Sequence, residues 1–141
     1  MRRAIAATMA ATTVSLAVAT AGVASANPVE PQPGPPFIDH TEWVHWADLS
    51  SLRVFPTPSG RAAAGEIGTN ADGAEAWTEV LALSPDADLP GMRAQFICHW
   101  QIAEFAEPGK ASWNLEPFRP EVNDNQMLAS GCNPGGIEEP F

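Results

Sequence analysis

Hydrophobic and polar residues change their spacing several times along this 141-residue chain, and each change predicts an element. From Ala4 to Val23 there is no charge at all. Thr41-Glu42-Trp43-Val44-His45-Trp46 admits two readings. As a strand it sets Trp43 and His45 on one face and Val44 and Trp46 on the other; as a helix it gathers Trp43, Trp46 and Ala47. The aromatic density favours the strand. In Ser51 to Pro56, Leu52 and Val54 alternate with Arg53 and Phe55, which predicts a second strand ended by Pro56. Pro58-Ser59-Gly60 predicts a turn, and the Gly- and Ala-rich stretch Gly60 to Gly73 a loop.

The period then lengthens to that of a helix. Trp77, Val80 and Leu81 form an i, i+3, i+4 stripe within Ala74 to Ser84, with Asp72 as N-cap and Pro85 as the stop. Asp88 with Pro90 opens a second helix from Leu89 to about Ala106. Along it Met92, Phe96, His99, Ala103 and Ala106 recur every three or four residues, and Ile97, Trp100, Ile102 and Phe105 occupy the other sides. Such a helix is expected to be buried on most of its surface, with Pro108-Gly109 ending it. Ser112 to Leu115 predicts a third strand with Trp113 and Leu115 on one side. Asn123, with Gln126 as its capping-box partner, opens a short third helix that Gly131 closes. Trp77, Trp100 and Trp113 fall at core positions.

These elements make a small single α+β domain, a short antiparallel sheet packed with two to three helices, over residues 37–134. Residues 27–36 hold five prolines and form an extended leader; residues 135–141 form a flexible tail.

The uncharged opening run has its own meaning. Met1-Arg2-Arg3 is basic, and Ala24-Ser25-Ala26 is a small-x-small cleavage pattern, so residues 1–26 read as a secretory signal peptide. A retained anchor is the competing reading. Its large apolar residues are only Ile5, Met9, Val14, Leu16, Val18 and Val23, weak for a span of about 20 residues. No Cys precedes Cys98, which excludes a lipoprotein attachment at the signal. Cleavage before Asn27 leaves no stable membrane span and places the protein outside the cell or in its envelope.

Charge excludes some partners. The chain has seven basic and 17 acidic residues; losing Arg2 and Arg3 takes its net charge from −10 to −12. Nucleic acids are held by Lys and Arg neutralising phosphates, so they are excluded, and teichoic acids and anionic lipids are disfavoured for the same reason. In an oxidising compartment the two cysteines, Cys98 and Cys132, are expected to pair. Closing a loop of about 35 residues contributes about 3–4 kcal/mol in the chain-entropy account.

The densest polar constellation is His99, Asn114, Glu116 and Arg119. A His near a carboxylate, with an Arg to stabilise an anion, has the makings of a hydrolase. The competing reading, a satisfied core histidine beside a structural Glu116–Arg119 ion pair, is favoured. Asp39, His40, Glu42, His45 and Asp48 carry metal-ligand chemistry, but their spacing fits no strict motif and His40 and His45 face opposite ways on a strand, so no metal is expected. No G-x-S-x-G, phosphate loop or dinucleotide fingerprint occurs, and no cofactor is expected. Trp43 and Trp46 remain as candidates to stack on sugar rings of a cell-wall glycan.

Gln95-Phe96-Ile97-Cys98-His99, Lys110-x-Ser112-Trp113-Asn114-Leu115-Glu116-Pro117-Phe118-Arg119-Pro120 and Cys132-Asn133-Pro134 together resemble the secreted actinobacterial family known as domain of unknown function 2599. Arg61, after Pro56-Thr57-Pro58, and Trp77-Thr78-Glu79-Val80 look like its upstream motifs. The family has no established activity, so the resemblance implies domain extent and secretion, not mechanism. It adds Arg61 and Glu79 to the polar positions that merit testing. The sequence thus favours a small secreted binding or interaction domain with an unidentified envelope or extracellular partner. A hydrolase built on His99 and Glu116 with Arg119 is the alternative, and a structural envelope component a third class.

Overall fold

The computed structural model describes residues 31–136. The predicted signal peptide, residues 27–30 of the leader and residues 137–141 of the tail lie outside the described residues. The alternating segments form a hairpin of β1 (Ile38–Trp46) and β2 (Leu49–Pro56). Its register pairs Glu42 with Arg53, Trp43 with Leu52 and Trp46 with Leu49, and an irregularity at Asp39 shifts the pairing at its start. Ala47, in the connection, has φ 49°, a left-handed conformation that a side chain disfavours. β3 (Trp113–Leu115) pairs antiparallel with β2, Leu52 opposite Leu115 and Arg53 opposite Asn114, so β2 is central in the order β1-β2-β3.

Four α-helices accompany the sheet among the described residues, one more than the two to three expected. The extra one is α1 (Pro58–Ala64), where the sequence predicted a turn and loop. Two local features outweigh the turn signal. Thr57 caps the helix by accepting the Gly60 N–H on its Oγ1 at 2.9 Å, with Pro58 in the first turn, where its missing N–H costs nothing. Gly60 serves close packing rather than a turn, since a Cβ there would collide with the Phe37 carbonyl.

α2 (Asn70–Leu83) begins four residues before the predicted Ala74. Asp72 is therefore not its N-cap but lies inside the first turn, where a carboxylate offsets the helix dipole. The cap position belongs to Thr69, whose hydroxyl instead donates to the Ala63 carbonyl at 2.9 Å. Gly73, on this helix, is needed for close approach, since a Cβ would sit 3.0 Å from the Trp100 ring. After a 3₁₀ turn at Pro85–Ala87 comes α3 (Met92–Ala106), which starts three residues later than predicted. Gly91, at φ 81°, holds the cap position assigned to Asp88. α4 (Asp124–Ala129) has the predicted capping box between Asn123 and Gln126.

Because pairing sets the faces, Trp43, Leu52, Val54, Trp113 and Leu115 share the side against which the helices pack. Phe37, Trp77, Phe96, Trp100 and Trp113 interlock there, with Trp100 and Trp113 edge-to-face at 6.2 Å. A smaller cluster of Cys98, Met127 and Cys132 joins α3 to the chain after α4. The Cys98–Cys132 bond is formed, with Cα atoms 5.5 Å apart.

Candidate functional site

Of the predicted constellation, Glu116 and Arg119 are bonded to each other, His99 is linked to Glu116 through Gln95, and Asn114 is bonded to Ser112. Gln95, His99, Glu116 and Arg119 are all buried, Glu116 with 1% of its surface exposed. Glu116 follows the core-facing Leu115, so its side chain turns to the opposite side of the sheet. There its Oε1 accepts the Ser51 hydroxyl at 3.0 Å and its Oε2 accepts Arg119 Nε at 2.6 Å. The backbone of Glu116 is clamped as well. Gln95 Nε2 donates to its carbonyl at 3.0 Å and Gln95 Oε1 accepts its N–H at 2.9 Å, as a neighbouring strand would. Arg119 Nη1 also donates to the carbonyls of Pro134 and Gly136, at 3.3 and 3.2 Å. This guanidinium therefore ties the end of β3 to the chain beyond the disulfide.

His99 Nδ1 lies 2.8 Å from the Gln95 carbonyl one turn back. A carbonyl only accepts, so this contact puts the ring proton on Nδ1. Asn114 Oδ1 accepts the Ser112 hydroxyl at 2.7 Å and is half-buried. Both oxygens of the Glu116 carboxylate are thus taken by protein groups, one of them an arginine, whereas a general acid or base must meet a substrate.

Arg61 and Glu79 also occupy bonded positions. Arg61 Nη1 pairs with Glu104 Oε1 at 2.7 Å and its Nη2 donates to the Ala111 carbonyl, while Glu104 Oε2 accepts the Gly109 N–H. α1, α3 and the loop before β3 are joined there. Glu79 Oε2 accepts the N–H groups of Phe37 and Ile38, both at 2.8 Å, anchoring the start of the domain to α2.

The two tryptophans part company. Trp43 faces the helices, its indole N–H donating to Asp86 Oδ1 at 3.1 Å and its ring stacking with His45. Trp46 lies three residues on, hence on the other face, and is 58% exposed. That outer face carries His40, Glu42, Val44 and Trp46 from β1, Ser51, Arg53 and Phe55 from β2, and Asn114 from β3, with Ser51 buried under Glu116. His40 and Phe55 stack with ring centres 4.1 Å apart, and His40 Nδ1 contacts Asp39 Oδ2 at 2.6 Å. Arg53 and Phe55 were not singled out as candidates from the sequence, although the alternation of residues 52–55 separates them from Leu52 and Val54.

His45 lies on the helix-facing side and His40 on the outer side. Among the described residues no three His, Cys, Asp or Glu side chains converge where a metal ion would sit. A groove of about 570 Å³ runs between α3 and α4, floored by Ile97 and Met127 and edged by Arg93, Gln101 and Glu121. None of His99, Glu116, Arg119, Trp43 or Trp46 lines it. No helix among the described residues is long and apolar enough to cross a membrane.

The pattern of a family described as protein of unknown function, DUF2599, matches residues 38–135. An uncharacterized protein of Mycobacterium tuberculosis is 60% identical over 120 residues, covering 85% of this chain and 80% of its own length. An uncharacterized protein of Mycobacterium bovis matches to the same extent. One of Mycobacterium leprae is 49% identical over 116 residues, 80% of this chain and 94% of that protein. No solved structure matches the chain.

Proposed function

Given that the chain belongs to the DUF2599 family, whose activity is unassigned, we propose that it is a secreted, disulfide-stapled binding domain that takes cell-wall glycan on the outer face of its sheet. In this reading residues 1–26 are the signal peptide, 27–36 the leader, 37–134 the binding domain and 135–141 the tail. The observation that carries it is a contrast in exposure. The would-be catalytic groups of Glu116, Arg119 and His99 are buried within the protein, whereas Trp46 is 58% exposed on the sheet. A flat indole is a surface on which a pyranose ring stacks. Trp43, Arg61 and Glu79 serve the fold in this reading, and Trp46 meets the ligand.

The hydrolase alternative is weaker because a substrate would have to displace Ser51 and Arg119 from the Glu116 carboxylate to reach it. The buried disulfide supports an oxidising destination.

The test is co-sedimentation of protein recovered from culture medium with purified mycobacterial sacculi. Its N-terminal sequence should begin at Asn27. The protein should pellet with the sacculi, and Trp46→Ala should leave it in solution with an unchanged melting temperature. A protein that stays cell-associated with its first 26 residues intact would overturn the secretion reading. Failure of the parent protein to pellet would overturn the glycan reading.

A further inference from the structure

We propose, resting on the sheet-face reading above, that the outer face selects a neutral saccharide rich in hydroxyl or acetamido groups, and that Glu42 and Arg53 are the residues that hydrogen-bond it. Glu42 and Arg53 lie directly opposite each other across β1 and β2. Directly opposed side chains of opposite charge are close enough to pair. The side chains of these two make no hydrogen bond or ion pair with each other or with any other described residue. Glu42 is exposed and Arg53 half-buried in the middle strand, so both heads stand ready for an outside partner.

Neighbouring groups define what that partner is. Two residues along each strand, and so about 7 Å away on the same face, His40 and Phe55 form the stacked aromatic pair. Four residues along β1 in the other direction from Glu42, about 14 Å away, stands Trp46. Aromatic rings flanking a polar row fit a chain of pyranose rings: the rings stack, and the hydroxyls between them bond. The row itself offers a pure acceptor in the carboxylate and a fork of donors in the guanidinium. A hydroxyl both donates and accepts, and an acetamido group does the same with its N–H and C=O, so either can satisfy both residues together. A carboxylate or phosphate can use only Arg53 and is repelled by Glu42.

Charge on the larger scale acts in the same direction. The row sums to zero in a chain with a net charge of −10, so the face has no excess of cations with which to hold a polyanion. The sheet face thus favours a neutral glycan chain over an anionic polysaccharide.

The test compares retention of the full secreted protein on chitin, which is neutral and acetamido-bearing, with retention on immobilised polygalacturonate, which is anionic. Retention on chitin is expected, nearly independent of salt, because few counterions are released. Arg53→Ala and Glu42→Ala should each weaken it about tenfold, the loss of a hydrogen-bonding group in a binding site. Melting temperatures report whether each variant is folded, and Arg53→Gln and Glu42→Gln, which keep the side-chain volume, serve where an alanine variant is not. Preferential, salt-sensitive retention on polygalacturonate would overturn the proposal. So would a self-association in sedimentation that Arg53→Ala abolishes, because it would assign the face to a second copy of the chain. If sacculi are retained while the Arg53 and Glu42 variants bind as the parent does, this inference alone fails. If the parent binds no sacculi, the sheet-face reading fails first.

Discussion

The same side of the sheet carries two carboxylate–guanidinium couples that behave in opposite ways. Glu116 and Arg119 are three residues apart, almost completely buried, and bonded at 2.6 Å. Glu42 and Arg53 face each other across two strands, accessible to water, and are not bonded. The difference is one of solvation. A charge taken from water must be matched inside the protein, so Ser51 and the Pro134 and Gly136 carbonyls close around the first couple. Water already satisfies the second couple, and a surface ion pair contributes little, so nothing forces it together. The first couple thus holds the fold together, and the second is the one we propose for recognition.

Breaking each couple should separate the two roles. The largest effect is expected for Glu116→Ala or Arg119→Ala. Either leaves a buried charge alone and should cost about 3–5 kcal/mol, read from urea unfolding. Serine at both Cys98 and Cys132 should cost about 3–4 kcal/mol and is checked in the same way. His99→Ala removes a buried side chain bonded to the Gln95 carbonyl and should cost about 2–3 kcal/mol, where a catalytic histidine would leave the melting temperature nearly unchanged. Arg53→Ala and Glu42→Ala should change stability by no more than about 0.5 kcal/mol, as surface substitutions do. An effect of opposite sign, and similarly small, is expected for Ala47→Gly. Relieving a left-handed alanine should stabilise the hairpin by about 0.5 kcal/mol, since strain relief exceeds the entropy glycine adds to the unfolded chain.

What could be read from the chain beforehand follows the range of the interactions. The Asn123–Gln126 box was legible because both partners lie within one turn. The disulfide was legible because two cysteines leave one pairing. α1 was not, because Gly60 looks like a turn residue until Phe37, 23 positions away in sequence, is seen pressed against it. The His99, Glu116 and Arg119 group was found by residue type, but its burial depends on Gln95 and Ser51, 21 and 65 residues from Glu116 in sequence. Trp43 and Trp46 were separable by alternation alone. The Glu42–Arg53 opposition needed the hairpin register, which the Ala47-Asp48 connection sets without a recognisable Asn-Gly or Asp-Gly signal.

The most direct test is to map the binding face residue by residue. Backbone amide NMR spectra of the protein, titrated with a soluble N-acetylglucosamine oligomer, should show shifts clustered at His40, Glu42, Trp46, Arg53 and Phe55 under our proposal. Shifts centred on His99, Glu116 and Arg119, or in the groove between α3 and α4, would contradict the account, as would a spectrum the oligomer leaves unchanged.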